Sequence, residues 1–248
     1  MVVYIIIMSM ELLYLEKIDS TNKYAKENLS SLADMTVVYT SEQTSGRGRL
    51  NRKWSYLGGN NIYASIVLKP SEEIKEVYSN LTQYLSLVLT EVFEEYGVDS
   101  RIKWPNDVRV NGKKISGILA ESAFVGGKLL GLILGFGVNL NCQKKDIENI
   151  DQPATSLNLE VGAEINREEF LKKVLDKFCL RYNKFIEDGF LLIREDYKKR
   201  AEFLNRPVTV RVFDKEICGI AEDITDNGAL KIIDDSDNEQ VLLIGDIL

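Results

Sequence analysis

The chain has 248 residues, 45% of them hydrophobic and 28% charged, with a net charge of −7 and no histidine. This length accommodates one large domain plus a small one, each with its own buried core. The acid excess argues against a general nucleic-acid binder, which needs a broad cationic face, and the lack of histidine excludes Ser-His-Asp and Cys-His catalysis, a histidine base and histidine-held metals.

The apolar stretch over residues 2–8 is too short to span a bilayer and lacks the cation and cleavage site of a signal peptide. Its β-branched content predicts a strand, and Met8 and Met10 are both alternatives to Met1 as the natural start. Ser20, Thr21 and Asn22 offer capping side chains before a helix over 23–29. Strands are expected over 35–40 and 62–68, separated by a long polar loop over 41–59. Apolar residues at steps of three and four predict an amphipathic helix over 74–96, stopped by Gly97. Short strands over 101–104 and 108–110 flank Pro105, and Asn111-Gly112 is a hairpin signal leading into a strand over 115–124, which Gly126-Gly127 returns over 129–140. Asn166 with Glu169 resembles a capping box that starts a helix running to Gly189, and a further helix is expected over 191–204.

From Pro207 the pattern changes to four short strands, over 208–212, 216–222, 229–233 and 240–244, with turns at 226–228 and 237–238. Such a run predicts a small barrel. The reading is an α+β main domain over 1–204 and a β domain over 205–248. Cys142, Cys179 and Cys218 are odd in number and form no CxxC pair, which fits buried reduced thiols in a cytosolic protein.

Four constellations carry candidate chemistry. In Gly46-Arg47-Gly48-Arg49-Leu50-Asn51-Arg52-Lys53-Trp54, glycines allow close backbone approach to an anion and arginines supply planar forks for carboxylates and phosphates. This is neither a P-loop nor, with Gly135-Phe136-Gly137 lacking a third glycine, part of a dinucleotide fingerprint. In Lys103-Trp104-Pro105-Asn106-Asp107 the lysine can meet phosphate, while Asn106 and Asp107 are hard oxygen donors suited to Mg²⁺ carried by a nucleotide; a plain Pro-Asn-Asp turn is the competing reading. Lys113 and Lys114 follow the hairpin, and strand alternation sends one of them to each face. Gly137-Val138-Asn139-Leu140-Asn141 places amides at a strand end.

Together and in this order, Asp19-Ser20-Thr21-Asn22, Gln43 with the GRGRLNRKW loop, KWPND, KKISGIL and GVNLN resemble the biotin–protein ligases, over nearly the whole chain. The resemblance implies a catalytic domain like that of class II aminoacyl-tRNA synthetases plus an SH3-like C-terminal domain. It implies a cytoplasmic, AMP-forming reaction of biotin with Mg-ATP, then transfer to a lysine of a biotin carboxyl carrier protein. By match, Ser20, Thr21, Asn22, Gln43, Arg47, Gly48, Arg49 and Lys114 are expected at biotin. Arg49, Arg52, Trp54, Lys103, Asn106 and Asn139 are expected at ATP, and Asn106 and Asp107 at the metal. Lys114, Arg49 and Lys103 are the expected catalytic residues. Some members carry an N-terminal helix-turn-helix and act as repressors. Fewer than twenty residues precede Asp19-Ser20-Thr21-Asn22 here, so no operator binding is expected; no membrane partner is expected either, and monomer and homodimer both stay open. Lipoate–protein ligase and a non-catalytic sensor are the alternatives; the GRGRxxRxW pattern favours biotin, and the joint retention of Arg49, Lys103 and Lys114 favours catalysis.

Overall fold

An eight-stranded mixed sheet organises most of the chain, which the computed structural model describes over residues 2–7, 10–58, 60–70, 75–148, 150 and 152–248. Its strands lie in the order β1 (Val2–Ile7), β2 (Met10–Ile18), β3 (Val37–Gln43), β4 (Ile62–Leu68), β8 (Lys128–Val138), β7 (Lys113–Val125), β6 (Asp107–Val110) and β5 (Arg101–Lys103). β2 and β3 are parallel, joined by α1 (Thr21–Glu27); the other neighbouring pairs are antiparallel.

All seven residues of β4 are buried, because both faces of the sheet are covered at its centre. On one face, Ala25 and Leu29 from the α1 segment pack on Leu13, Val38, Val67 and Ile133. On the other, α2 (Leu81–Glu95) and α5 (Arg167–Asp188) close a larger core that includes Tyr84, Phe93, Phe170, Phe178 and Phe185. Asn166 caps α5 as expected, its Oδ1 accepting from the backbone N–H groups of Glu168 and Glu169 at 3.0 Å each. Asn111 and Gly112 both have positive φ, 49° and 75°, as the two-residue hairpin between β6 and β7 requires.

Several boundaries depart from the sequence reading. The helix expected over 74–96 is a 3₁₀ turn, Glu76–Asn80, leading into α2; Ile74 lies outside the described residues. Asn80 is drawn aside, its Nδ2 donating to Gln83 Oε1 at 2.7 Å and to Asn227 O at 3.0 Å, and Ser79 Oγ donates back to Glu76 O. The helix expected over 191–204 is a 3₁₀ turn, Phe190–Leu192, and a short α6, Arg194–Arg200. It stops because Ala201 turns extended and bridges Ile102, with Glu202 N donating to Ile102 O at 3.0 Å. β2 went unread, and β3 lies later than the predicted strand over 35–40.

The C-terminal residues form a five-stranded antiparallel sheet in the order β12 (Glu239–Leu242), β11 (Leu230–Ile233), β10 (Lys215–Ile224), β9 (Pro207–Val212) and β13 (Asp246–Ile247). β13, absent from the sequence reading, pairs Asp246 with Arg211. This sheet is tied to the larger part of the molecule: Gln83 Nε2 donates to Gly228 O at 2.8 Å, and Arg194 Nη2 meets Asp223 at 2.7 Å. No helix among the described residues is long and apolar enough to cross a membrane. Burial pushes the Cys142 thiol up to about 11. Cys218, expected to be buried, is exposed because it falls on the outward-facing positions of β10.

Candidate active site

The neutral end of the site begins where α1 starts. Ser20 is its N-cap, and Thr21 and Asn22 are buried in its first turn, a consequence of the short polar run that the sequence places against the sheet. Gln43, at the end of β3, turns its Oε1 to Thr21 and accepts from the backbone N–H at 2.8 Å and from Oγ1 at 3.1 Å. Ser65 on β4 places its Oγ 2.7 Å from Thr21 Oγ1 and 2.6 Å from Asn22 Oδ1. The sequence reading missed Ser65; the available signal was a lone serine among aliphatic and aromatic residues in a fully buried strand.

The floor is made of glycine. Gly117 on β7 pairs with Gly137 on β8, and Gly135 lies two residues earlier on the same face. A Cβ at Gly135 would overlap the Asn22 amide, one at Gly137 would overlap the Trp54 indole, and one at Gly117 would stand 2.8 Å from the same ring. The Gly135-Phe136-Gly137 run is therefore a trough for close packing rather than a phosphate loop.

At the other end the loop after β3 folds over the trough. Gly48 N donates to Arg52 O at 2.8 Å and Trp54 N to Gly46 O at 3.0 Å, so the loop closes on itself, with Arg49 half-buried and Arg47 and Arg52 exposed at the rim of the pocket. Arg49 Nη1 lies 2.9 Å from Asp246 Oδ1 and donates to Asn106 Oδ1 at 3.3 Å, while Nη2 donates to Gly245 O at 3.2 Å. Arg52 stands 3.8 Å from the other Asp246 oxygen. Lys114 Nζ pairs with Asp107 Oδ1 at 2.7 Å and sits 5.5 Å from the centre of the Trp54 ring. Lys113 points outward and Lys114 inward, as alternation demands. Burial, with help from the charges of Arg109 and Lys114, holds the Lys103 ammonium below its usual pKa.

One pocket gathers Ser20, Thr21, Asn22, Gln43, Arg47, Gly48, Arg49, Arg52, Trp54, Lys103, Asn106, Asp107 and Lys114. Asn139 lies in the adjoining cavity, which shares Arg52, Lys53, Trp54 and Lys114 with the first. Its Nδ2 donates to Thr155 O at 3.0 Å. The first pocket is lined by six cationic side chains and two acidic ones, in a chain whose net charge is −7. One of those acids, Asp246, was missed; the signal is weak, because a Gly-Asp pair next to the last strand reads as a turn.

Fold and pocket together define a protein that holds a neutral polar head group beside a polyanion. The chain belongs to the Biotin/lipoate A/B protein ligase family, which matches residues 14–139, and the Biotin protein ligase C terminal domain matches residues 203–248. Over 227 residues it is 32% identical to the Bifunctional ligase/repressor BirA of Bacillus subtilis, covering 90% of this chain and 70% of that protein. It is 34% identical to the Biotin--[acetyl-CoA-carboxylase] ligase of Paracoccus denitrificans over 222 residues, 87% of this chain and 91% of that one. The structure of the Aquifex aeolicus biotin protein ligase in complex with biotin and ATP superposes with a TM-score of 0.82 at 30% identity, over 96% of this chain and 97% of that one.

Proposed function

We propose that this chain is a biotin–protein ligase. A carboxylate oxygen of biotin attacks the α-phosphorus of ATP, pyrophosphate leaves, and biotinyl-5′-AMP remains. The ε-amine of a lysine on a biotin carboxyl carrier domain then attacks the anhydride carbonyl, AMP leaves and the amine loses its proton. The observation that carries this reading is the polarity of the first pocket, neutral donors and acceptors at one end and a cation excess at the other.

Each end supplies one part of the chemistry. Ser20, Thr21, Asn22 and Gln43 match the ureido head group, which is uncharged and offers both donors and an acceptor. Arg47, Gly48 and Arg49 lie over the ligand; Lys103, Arg52 and Trp54 serve the nucleotide, and Asn139 faces its base side from the adjoining cavity. Lys114 stands at the wall between the two cavities, where acid and phosphate must meet. Two anions brought together repel, and preorganised cations offset that repulsion as charge develops on the transferred oxygens. No nucleophilic side chain is needed, which agrees with the absence of histidine.

A magnesium ion carried by the triphosphate fits the donor set only in part. No cluster of three or more metal-ligating side chains exists among the described residues, as suits an ion that keeps phosphate and water ligands and takes one or two carboxylates. Asn106 Oδ1 already accepts from Arg49 at 3.3 Å and Asp107 Oδ1 pairs with Lys114 at 2.7 Å, but the Asp107 carboxylate carries a negative charge and a second oxygen, so Asp107 is the more fitting ligand of the two. The ion would supply neutralisation of phosphate charge there.

The net charge of −7 argues against a nucleic-acid partner for this chain, and the reading places the reaction in the cytoplasm. The free edge of β1 is a candidate surface for a homodimer. Pyrophosphate–ATP exchange tests the activity: exchange stimulated by biotin is expected, and exchange stimulated by lipoate alone overturns the choice of acid.

A further inference from the structure

Glu121 lies outside the pocket, on β7, yet it touches two elements that build it, α1 and the glycine loop. Its side chain is only 14% exposed. Oε1 stands 3.3 Å from Arg47 Nη2 on the glycine loop and 3.6 Å from Lys26 Nζ on α1. Oε2 accepts from Asn22 Nδ2 at 3.0 Å. Asn22 and Lys26 are four apart, on one face of α1, so a single carboxylate serves both.

The consequence lies in the Asn22 amide, whose two ends have opposite hydrogen-bonding character. Its Nδ2 donates to Leu119 O at 3.2 Å and to Glu121 Oε2, which uses both of its hydrogens. Turned the other way, the amide oxygen would face a carbonyl and a carboxylate, two acceptors with no proton between them. Glu121 thus leaves one orientation open, with Oδ1 toward Ser65 Oγ at 2.6 Å and toward the trough at Gly135. The two cations on Oε1 keep the carboxylate from swinging away.

We infer that Glu121 is a positioning residue for substrate choice: by locking the Asn22 amide with its oxygen inward, it makes this end of the pocket demand an N–H donor from the acid it accepts. The inference rests on the proposed function. A ureido ring offers two N–H groups, whereas a dithiolane ring offers none; Ser65 Oγ fills one lone pair of the Asn22 oxygen, and a ligand that lacks a donor for the second gives up a hydrogen bond that the ureido ring makes.

The test is a calorimetric titration of the full chain with biotin and, separately, with ATP. Glu121→Met removes the acceptor at similar length, and is expected to weaken biotin about tenfold while leaving ATP affinity within about twofold. Glu121→Gln, which keeps a carbonyl acceptor, is expected to regain most of the loss. In the Asn22→Ala background the methionine is expected to add no further loss, because its effect runs through that amide. Glu121→Ala takes the place of the methionine variant if the latter folds poorly, with the same expectation. Unchanged biotin affinity in the methionine variant, parallel loss for both ligands, or a loss that multiplies with Asn22→Ala overturns the inference. A parent protein that binds no biotin overturns the proposed function instead.

Discussion

At the neutral end of the pocket, Thr21, Asn22, Gln43 and Ser65 hang from a helix start and two strands and hold one another in place. At the cationic end, Arg49 and Arg52 come from a loop and rest on Asp246, while Lys114 rests on Asp107. The difference follows from charge. A neutral polar cluster can satisfy itself before any ligand arrives. Several cations in a small pocket repel one another, and the fold gives them carboxylate partners; on the proposed function these partners give way to substrate phosphates. On that reading the first end recognises by fixed geometry and the second exchanges partners.

That contrast breaks first at Lys114. Lys114→Ala is expected to slow biotin-dependent pyrophosphate–ATP exchange by about a hundred- to a thousandfold, the loss typical of one preorganised charge at a reacting centre. Biotin affinity is expected to change far less, because the neutral end does not depend on this lysine. Near-normal exchange in the variant would remove Lys114 from the chemistry. Ser65→Ala probes the opposite end. It deletes a buried hydroxyl in contact with both Thr21 and Asn22, and should weaken biotin by about tenfold while sparing ATP. Equal losses for both ligands would show that the two ends are not independent.

Legibility in the sequence divides along the same line. Elements with a local signature were readable: the nearly unbroken apolar run of β4, the Asn111-Gly112 turn, the Asn166 cap. The loop arginines and Lys114 were readable because motifs fixed their order and spacing. What stayed hidden depends on contacts between distant parts. Asp246 reaches Arg49 only because β13 joins the edge of a sheet at the far end of the chain. α6 ends early because Ala201 finds Ile102, about a hundred residues before it. Ser65 and Glu121 look like an ordinary polar break in one strand and a surface acid on another until the fold sets them against Asn22.

The borrowed ion pair gives a smaller effect with a sharper signature. Asp246→Ala leaves Arg49 without its carboxylate in a pair whose side chains are 26% and 10% exposed, and should lower the stability of the unliganded protein by about 1–2 kcal/mol. Chemical denaturation measures it. Saturation with biotinyl-5′-AMP is expected to erase most of the deficit, since the phosphate then pairs with Arg49. A deficit that persists undiminished in the complex would mean that Asp246 is a permanent strut rather than a stand-in.

The smallest effect concerns Lys103, whose ammonium is held below the ordinary 10.5 first by burial and then by the neighbouring charge of Arg109. Charge on this residue is present below its lowered pKa and is lost as pH rises through it, at lower pH than for an exposed lysine. ATP affinity should therefore decline on the alkaline side by about three- to fivefold. Stability of the empty protein moves the other way, because the fold prefers the neutral amine and the unfolded chain binds more protons between the two values. Lys103→Arg keeps its charge throughout and should shift the decline in ATP affinity to higher pH without touching biotin binding. An affinity profile that is the same in parent and variant would take Lys103 out of the phosphate site and leave Arg49, Arg52 and Lys114 to carry the cationic end alone.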